Sequence, residues 1–348
     1  MVDVVGLCKY LEGPQVVSAK KLTRKMAAAA AAGVAATLML TACQAEKPDA
    51  QGWDSGQVTN WAIDEPVTEA DVLKAVTAAT TLKDLPTKVR KSDLVAASGD
   101  DQKAWALPRC TPTIEQTKLD DLGPCTLGDL KSEREIFVVG DSAAAMWYGA
   151  FDLIGKRKAW KVVMLTKNNC GPATLTYYQW QRGRTFTECT EWQKWRAGVI
   201  EREQPGIVVL AGWYGGNLGP GKKETPQVWR DGLVKTATQF PKNTKVVMLG
   251  NTPHPATPPA ECVASNPSNL VECASDPEQA VPDQTGWSRA AKDVGGTFID
   301  VTPWFCADSC PAIIGDQIVY AGKNHITQKY GRYVSGSIEK AMAPLLGA

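Results

Sequence analysis

From residue 135 onward, short runs of β-branched and other apolar residues alternate with stretches that carry the apolar period of a helix. The runs lie at 135–140, 161–166, 206–212, 245–250 and 297–300. Nearly every position in each run is apolar, which is typical of strands that are covered on both faces. Helices are predicted between and after the runs, at roughly 143–156, 188–203, 225–239, 286–294 and 326–345. This alternation predicts an α/β fold in which helices cover both faces of a parallel sheet.

Ser142 ends the sequence Gly-Asp-Ser, at the point where the first apolar run gives way to a helix. In open α/β sheets, ligands bind outside the carboxyl ends of the strands, so this serine is predicted to lie at that edge. Two interpretations are open at this point. The hydroxyl can cap the helix, as serine often does, or it can be a nucleophile whose oxyanion is stabilised by the helix N-terminus.

The chain contains two histidines, which shortens the search for a catalytic base. His325 follows a loop and precedes the C-terminal helix, a place that favours a functional role over a core position. His254 lies in the Pro-rich segment 251–259 and is predicted to be a surface-loop residue. Of the twelve tryptophans, most are predicted to be core residues, whereas Trp213 is predicted to form a wall of a substrate site.

Composition excludes some classes of function. The net charge is +1 and no dense basic run follows the N-terminal region, so nucleic acid is not an expected partner. Neither a C-x-x-C motif nor a histidine cluster with ligand spacing is present in the sequence, so neither a metal nor another cofactor is expected.

The first 43 residues have the features of a lipoprotein signal peptide. Positive charge at 20–25 precedes an apolar stretch of signal-peptide length, and Leu-Thr-Ala-Cys at 40–43 matches a lipobox. Cys43 is therefore predicted to carry the lipid that anchors an exported protein to the outer face of the cell membrane. An ordinary signal peptide with a chance cysteine is the alternative. The residues before Lys20 fit no part of a signal peptide, which suggests a start codon assigned too early.

Eight further cysteines follow Cys43, and an even number in an exported chain indicates disulfides. Eight cysteines can pair in many ways, so the sequence alone does not fix the connectivity. Their grouping in twos favours bonds between sequential neighbours. The predicted pairs are Cys110–Cys125, Cys170–Cys189, Cys262–Cys273 and Cys306–Cys310.

The mature chain is predicted to have three parts. Residues 44–66 are polar and contain Pro and Gly, which suits a flexible tether. Residues 67–134 form a lead-in of loops and one helix, predicted at 68–82. Residues 135–348 form the α/β domain.

Several stretches of the chain resemble one family. They include FVVGDSAAAMW at 137–147, LTKNNCGP at 165–172, QPGIVVLAGWY at 204–214 and IVYAGKNHIT at 318–327. With the cysteine positions, they resemble the SGNH-hydrolase domain that is fused to membrane acyltransferase-3 proteins, which O-acylate cell-surface glycans. The resemblance spans about residues 70 to 345 and implies a flavodoxin-like, three-layer sandwich. The long apolar segments of the membrane acyltransferase part are absent from the sequence.

The resemblance implies a set of catalytic roles. Ser142 corresponds to the nucleophile, and His325 corresponds to the general base that takes its proton. The backbone N–H groups of Ser142 and Gly171 correspond to oxyanion donors. Asn217 is a candidate third donor, although Trp213 occupies the position that is more typical of that donor.

Two positions depart from the family pattern. Gly322 stands three residues before His325, where the family usually has the aspartate that orients the imidazole. Asp308 and Asp316 are nearby carboxylates that can take over that role. Ala143 stands where the family commonly has a histidine directly after the serine.

The resemblance therefore implies acyl transfer or ester hydrolysis, of an O-acetyl or similar group, on a cell-envelope glycan or glycolipid. The acyl group is expected to come from a separate membrane acyltransferase. The alternative is a degenerate, non-catalytic SGNH module that binds envelope glycan or assists such an acyltransferase. A solute-binding lipoprotein is disfavoured, because such proteins need two similar lobes and the pattern indicates one sheet.

Overall fold

A six-stranded sheet lies at the centre of the structure, a computed structural model that describes residues 66–99, 105–215 and 217–347. The strands, including short hairpins outside the sheet, are β1 (Thr126–Gly128), β2 (Glu135–Gly140), β3 (Lys161–Thr166), β4 (Tyr178–Gln179), β5 (Arg184–Thr185), β6 (Ile207–Ala211), β7 (Lys245–Leu249), β8 (Thr297–Ile299), β9 (Ile313–Ile314), β10 (Gln317–Ile318), β11 (Tyr320–Ala321) and β12 (His325–Ile326).

The spatial order of the sheet is β1-β3-β2-β6-β7-β8. The five predicted apolar runs form β2, β3, β6, β7 and β8, and the pairings among these five strands are all parallel. β1 was not predicted, and it pairs antiparallel to β3 at the edge of the sheet. The parallel α/β fold expected from the sequence is confirmed, with the addition of this edge strand from the lead-in.

Helices flank the sheet on both sides. They are α1 (Glu69–Ala79), α2 (Lys91–Ser98), α3 (Ser142–Ala145), α4 (Tyr148–Lys158), α5 (Thr187–Glu203), α6 (Pro226–Ala237), α7 (Pro259–Ser265), α8 (Pro277–Ala280), α9 (Thr285–Asp293), α10 (Gln328–Tyr333) and α11 (Ser335–Leu346). The helix predicted at 143–156 is divided into α3 and α4, and the one predicted at 326–345 is divided into α10 and α11.

Two hydrophobic clusters cover the two faces of the sheet. Alternate residues of β2 show the division, because Ile136 and Val138 face one cluster whereas Phe137 and Val139 face the other. Residues of the lead-in, such as Trp105, pack into the first cluster. The lead-in therefore completes one core together with the α/β part and does not form a core of its own.

All four predicted disulfides are present. They join Cys110 to Cys125, Cys170 to Cys189, Cys262 to Cys273 and Cys306 to Cys310. Disulfides persist in oxidising compartments and are rare in the cytosol, so this pattern is that of an exported protein.

The register of the sheet brings three loops to one edge. Gly140, the last residue of β2, is level with Thr166 at the end of β3 and with Ala211 at the end of β6. Residues that follow these strands therefore emerge side by side at the carboxyl edge. The predicted signal peptide, Cys43 and nearly all of the predicted tether lie outside the described residues. Among the helices that are described, none is long and apolar enough to cross a membrane.

Candidate active site

Ser142 is the first residue of α3, and the residue that caps this helix is Asp141. The Asp141 carboxylate accepts the N–H of Ala143 at 2.9 Å. The interpretation of Ser142 as the cap is therefore wrong. In the described part of the chain, no residue is hydrogen-bonded to the Ser142 hydroxyl, and none accepts the Ser142 N–H.

Asp141 also fixes the neighbouring loop. Its two carboxylate oxygens accept the N–H of Trp213, at 3.1 and 3.0 Å, so the start of α3 is tied to the residues that follow β6. Burial raises the pKa of the Asp141 carboxyl, and the N–H groups of Trp213 and Ala143 oppose that shift. The charge of a nearby His325 opposes the shift as well, so the imidazole lies within electrostatic reach of this carboxylate.

His325 lies in the short strand β12 and is only 6% exposed. Its ring stacks on the indole of Trp105, with the ring centres 3.7 Å apart and the planes inclined by 7°. The segment is attached to the turn after α3, because the Ile326 N–H reaches the Met146 sulfur at 3.4 Å and the Gln328 amide donates to the Met146 carbonyl at 2.9 Å. The structure thus brings His325 to the helix that begins with Ser142.

Gly171 lies in the loop after β3, at the same edge. The buried Arg196 guanidinium donates to the Gly171 carbonyl at 3.0 Å and to the Pro172 carbonyl at 2.6 Å. Burial lowers the pKa of Arg196 to about 10, and the Asp141 carboxylate partly offsets that shift. The disulfide between Cys170 and Cys189 holds the loop from a second side. Among the described residues, none accepts the Gly171 N–H, so this donor is available at a fixed position.

Comparison with known families matches residues 109–340, which include Ser142, Gly171 and His325, to the SGNH domain that is fused to AT3 domains. The chain belongs to this SGNH family. One similar solved structure is the periplasmic domain of a lipopolysaccharide acetyltransferase from Salmonella ser. Paratyphi A, at 16% identity and a TM-score of 0.49. The alignment covers 62% of this chain and 85% of that one. No curated protein sequence matches the chain.

Gly322, which the family resemblance predicts to stand at the aspartate position, forms a turn between β11 and β12. Its φ of 57° lies in the left-handed region that glycine adopts without strain, and its N–H donates to the Ala97 carbonyl at 2.8 Å. Of the two carboxylates that could replace the aspartate, Asp308 and Asp316, neither contacts the His325 imidazole in the described part of the chain. Asp316 forms an ion pair with Lys88 at 3.1 Å, and Asp308 is exposed to solvent.

Asn217 is not brought to Ser142 by any contact among the described residues. Its carbonyl accepts the Tyr178 N–H at 2.8 Å, which attaches it to the hairpin of β4 and β5. Its side-chain Nδ2 is buried and has no hydrogen-bond partner in the described part of the chain. The third oxyanion donor therefore stays a prediction.

His254 is the functional candidate that sequence reasoning placed wrongly. The His254 ring stacks on Trp213, with the ring centres 3.5 Å apart and the planes inclined by 4°. The backbone N–H of His254 donates to the Ala280 carbonyl at 2.7 Å. Burial, together with the charge of nearby His325, lowers the pKa of His254 to about 4. Both histidines of the chain thus lie at the edge that carries Ser142. The signal that identifies His254 is its position shortly after β7, at the carboxyl end of a parallel strand.

Asn251, which also follows β7, supports the same edge. The side-chain oxygen of Asn251 accepts the Tyr214 N–H at 3.0 Å, and its own N–H donates to Gln284 at 2.7 Å. It therefore joins the loop after β6 to the loop after β7. No group of three or more His, Cys, Asp or Glu side chains that could hold a metal ion occurs among the described residues.

Proposed function

We propose that this protein is a serine-dependent O-acyltransferase or esterase that acts on an acyl ester of a cell-envelope glycan or glycolipid. The observation that carries the proposal is that Asp141 and Ser142 have different roles at the start of α3. Asp141 caps the helix, which leaves the Ser142 hydroxyl free of that task, and the His325 segment docks on the turn at the end of the same helix.

The proposed reaction has two halves. The Ser142 oxygen attacks the acyl carbon as His325 takes the hydroxyl proton, and the tetrahedral species then breaks its bond to the donor oxygen, which leaves with that proton. Water or a sugar hydroxyl next attacks the acyl-serine and gives its proton to His325. The bond between the acyl carbon and the Ser142 oxygen breaks, and this oxygen recovers the proton.

The surroundings of the imidazole support that role. Stacking on Trp105 confines the imidazole to one plane, which restricts the rotation of the ring and fixes the directions of its nitrogens. The buried Asp141 carboxylate stabilises the imidazolium that forms during the reaction, because the two opposite charges interact within a protein interior. Asp141 thereby provides part of the stabilisation that an aspartate at position 322 would give to the imidazolium.

Two backbone donors are proposed for the oxyanion. The N–H groups of Ser142 and Gly171 emerge from the ends of β2 and β3, which are neighbours at equal height in the sheet. Arg196 and the disulfide at Cys170 hold the Gly171 loop in place, so little reorganisation is needed when charge develops. We propose Asn217 as a third donor and Trp213 as a wall of the acyl site.

A second candidate function is a non-catalytic SGNH module that binds envelope glycan or assists a membrane acyltransferase. The observation in its favour is Gly322, which leaves the family aspartate position without a side chain. Against it, hydrogen bonds of a catalytic site are often long in the free enzyme and tighten only when substrate binds, so the unbonded Ser142 hydroxyl does not favour this candidate.

A comparison of ester hydrolysis by the wild-type protein and by the Ser142→Ala variant separates the two candidates. We expect wild-type protein to hydrolyse p-nitrophenyl acetate and the variant to lose that activity by at least about 10³-fold, since loss of a nucleophile has an effect of several orders of magnitude. An unchanged far-UV circular dichroism spectrum is the control for folding. Residual activity within about threefold of wild type would exclude Ser142 as the nucleophile.

The lipid anchor and the acyl source are also proposals. Cys43 would hold the domain at the outer face of the cell membrane, beside a membrane acyltransferase that supplies the acyl group. We expect Cys43→Ala to move the protein from the membrane fraction to the soluble fraction. Unchanged partitioning into detergent would contradict the anchor and would leave the proposed chemistry untouched.

A further inference from the structure

A concave surface of about 470 Å³ lies beside His254 and has no role in the reaction described above. Its volume falls within the range of small-molecule sites, which is roughly 300 to 1,000 Å³. Its walls come from the segments around α7 and α8, and the Cys262–Cys273 disulfide forms part of them. A covalently braced cavity binds a ligand without a large loss of conformational freedom.

The lining of this cavity is polar and rich in hydrogen-bond acceptors. It includes the hydroxyl groups of Thr257 and Ser275, the amide of Gln279 and the carboxylates of Glu272 and Asp276. Hydroxyls, amides and carboxylates together accept and donate the hydrogen bonds that a polyol needs. The lining does not suit an acyl chain, which requires apolar walls.

His254 connects the cavity to the catalytic edge. His254 is one of the residues that line the cavity, and its ring stacks on Trp213, whose backbone N–H is bonded to Asp141, the residue before Ser142. Its backbone is fixed by the Ala280 carbonyl, and Ala280 also lines the cavity. Because burial lowers the pKa of His254 to about 4, the ring is neutral near pH 7 and keeps one N–H donor and one acceptor nitrogen.

We propose that His254 is a substrate-binding residue, which hydrogen-bonds a hydroxyl group of a carbohydrate acceptor that occupies this cavity. The inference deepens the proposed function and rests on it for the transfer step. In that step an acceptor hydroxyl attacks the acyl carbon of acyl-Ser142, and its oxygen forms the new ester. The bond from the acyl carbon to the serine oxygen breaks, and the hydroxyl proton passes through His325 to that oxygen. His254 orients the acceptor and exchanges no proton.

Imidazole NMR tests the binding directly, because the chain has only two histidines and their signals can be assigned by substitution. The full-length Ser142→Ala protein, labelled in histidine and solubilised in detergent, is titrated with methyl glycosides of glucose, galactose and mannose. We expect at least one glycoside to shift the His254 signals in a saturable manner. Asp276→Asn is expected to weaken that binding at least about threefold, whereas Trp180→Ala, an exposed residue that does not line this cavity, is the matched control and leaves it unchanged.

The same probes give a second readout in protein that retains Ser142. With p-nitrophenyl acetate as acyl donor, His254→Gln is expected to lower the ratio of glycoside acetylation to hydrolysis by about tenfold or more. His254 signals that stay unmoved by every glycoside would overturn the inference. If glycosides shift the His254 signals saturably but the protein that retains Ser142 has no esterase activity, the binding site is supported and the proposed chemistry is rejected.

Discussion

The site contains two stacked Trp–His pairs that are alike in geometry and different in their attachments. Trp105 and His325 stack at 3.7 Å, and Trp213 and His254 stack at 3.5 Å, both with nearly parallel rings. The His325 pair joins the lead-in to the C-terminal segment, and that segment is bonded to Met146, one turn after Ser142. The His254 pair joins the loop after β6 to the loop after β7, and it borders the polar cavity.

The same stacking arrangement of tryptophan on histidine is therefore compatible with two different functions. A flat indole restricts the rotation of an imidazole, so the groups around the ring decide its function. His325 lies within reach of a buried carboxylate and of the serine helix, which suits proton transfer. His254 is held neutral by burial and faces hydroxyl-binding groups, which suits recognition.

The largest effect that separates the two pairs is expected from paired histidine substitutions. His325→Gln should lower kcat/KM for p-nitrophenyl acetate by about 10³-fold or more, because the nucleophile loses its base. His254→Gln tests the other pair and should lower the same quantity far less, because His254 exchanges no proton in the proposed reaction. Steady-state kinetics on both variants measure the contrast. Equal losses of kcat/KM in the two variants would contradict the different roles proposed for His325 and His254.

A smaller effect is expected from removing the indole behind His325. Trp105→Leu should lower kcat by up to about 10²-fold with little change in KM, because small displacements of a catalytic group have effects of that order. Trp105→Phe retains an aromatic face and should keep most of the activity. Because the Trp105 side chain is buried, thermal unfolding of both variants provides the control. A leucine variant as active as the phenylalanine variant would show that stacking does not position the base.

The sheet, the disulfides and the edge that carries Ser142 could be predicted from the sequence, since each follows from a local pattern. Continuous apolar runs identify β2, β3, β6, β7 and β8, and the grouping of the cysteines in twos favours the observed pairs. The cap on α3 was harder to predict, because Gly-Asp-Ser offers two residues that cap helices well. The structure shows that Asp141 takes that position.

The two stacks could not be predicted, because they depend on how loops far apart in sequence fold back on the sheet edge. Trp105 and His325 are separated by most of the α/β domain, and neither residue carries a local signal for the other. His254 lies among prolines, a pattern that favours exposure, and only the parallel position of its strand indicates the shared edge. The turn at Gly322 likewise depends on a backbone angle that a motif comparison does not contain.

Labelling with a fluorophosphonate probe tests the central claim most directly, because the probe reacts only with a serine whose hydroxyl is activated. We predict that wild-type protein is labelled at Ser142, that His325→Gln is labelled far more slowly, and that Ser142→Ala is not labelled. Mass spectrometry of the tryptic peptides identifies the modified residue. Absence of labelling in folded wild-type protein, or equal labelling of the Ser142→Ala variant, would contradict the account of Ser142 as an activated nucleophile.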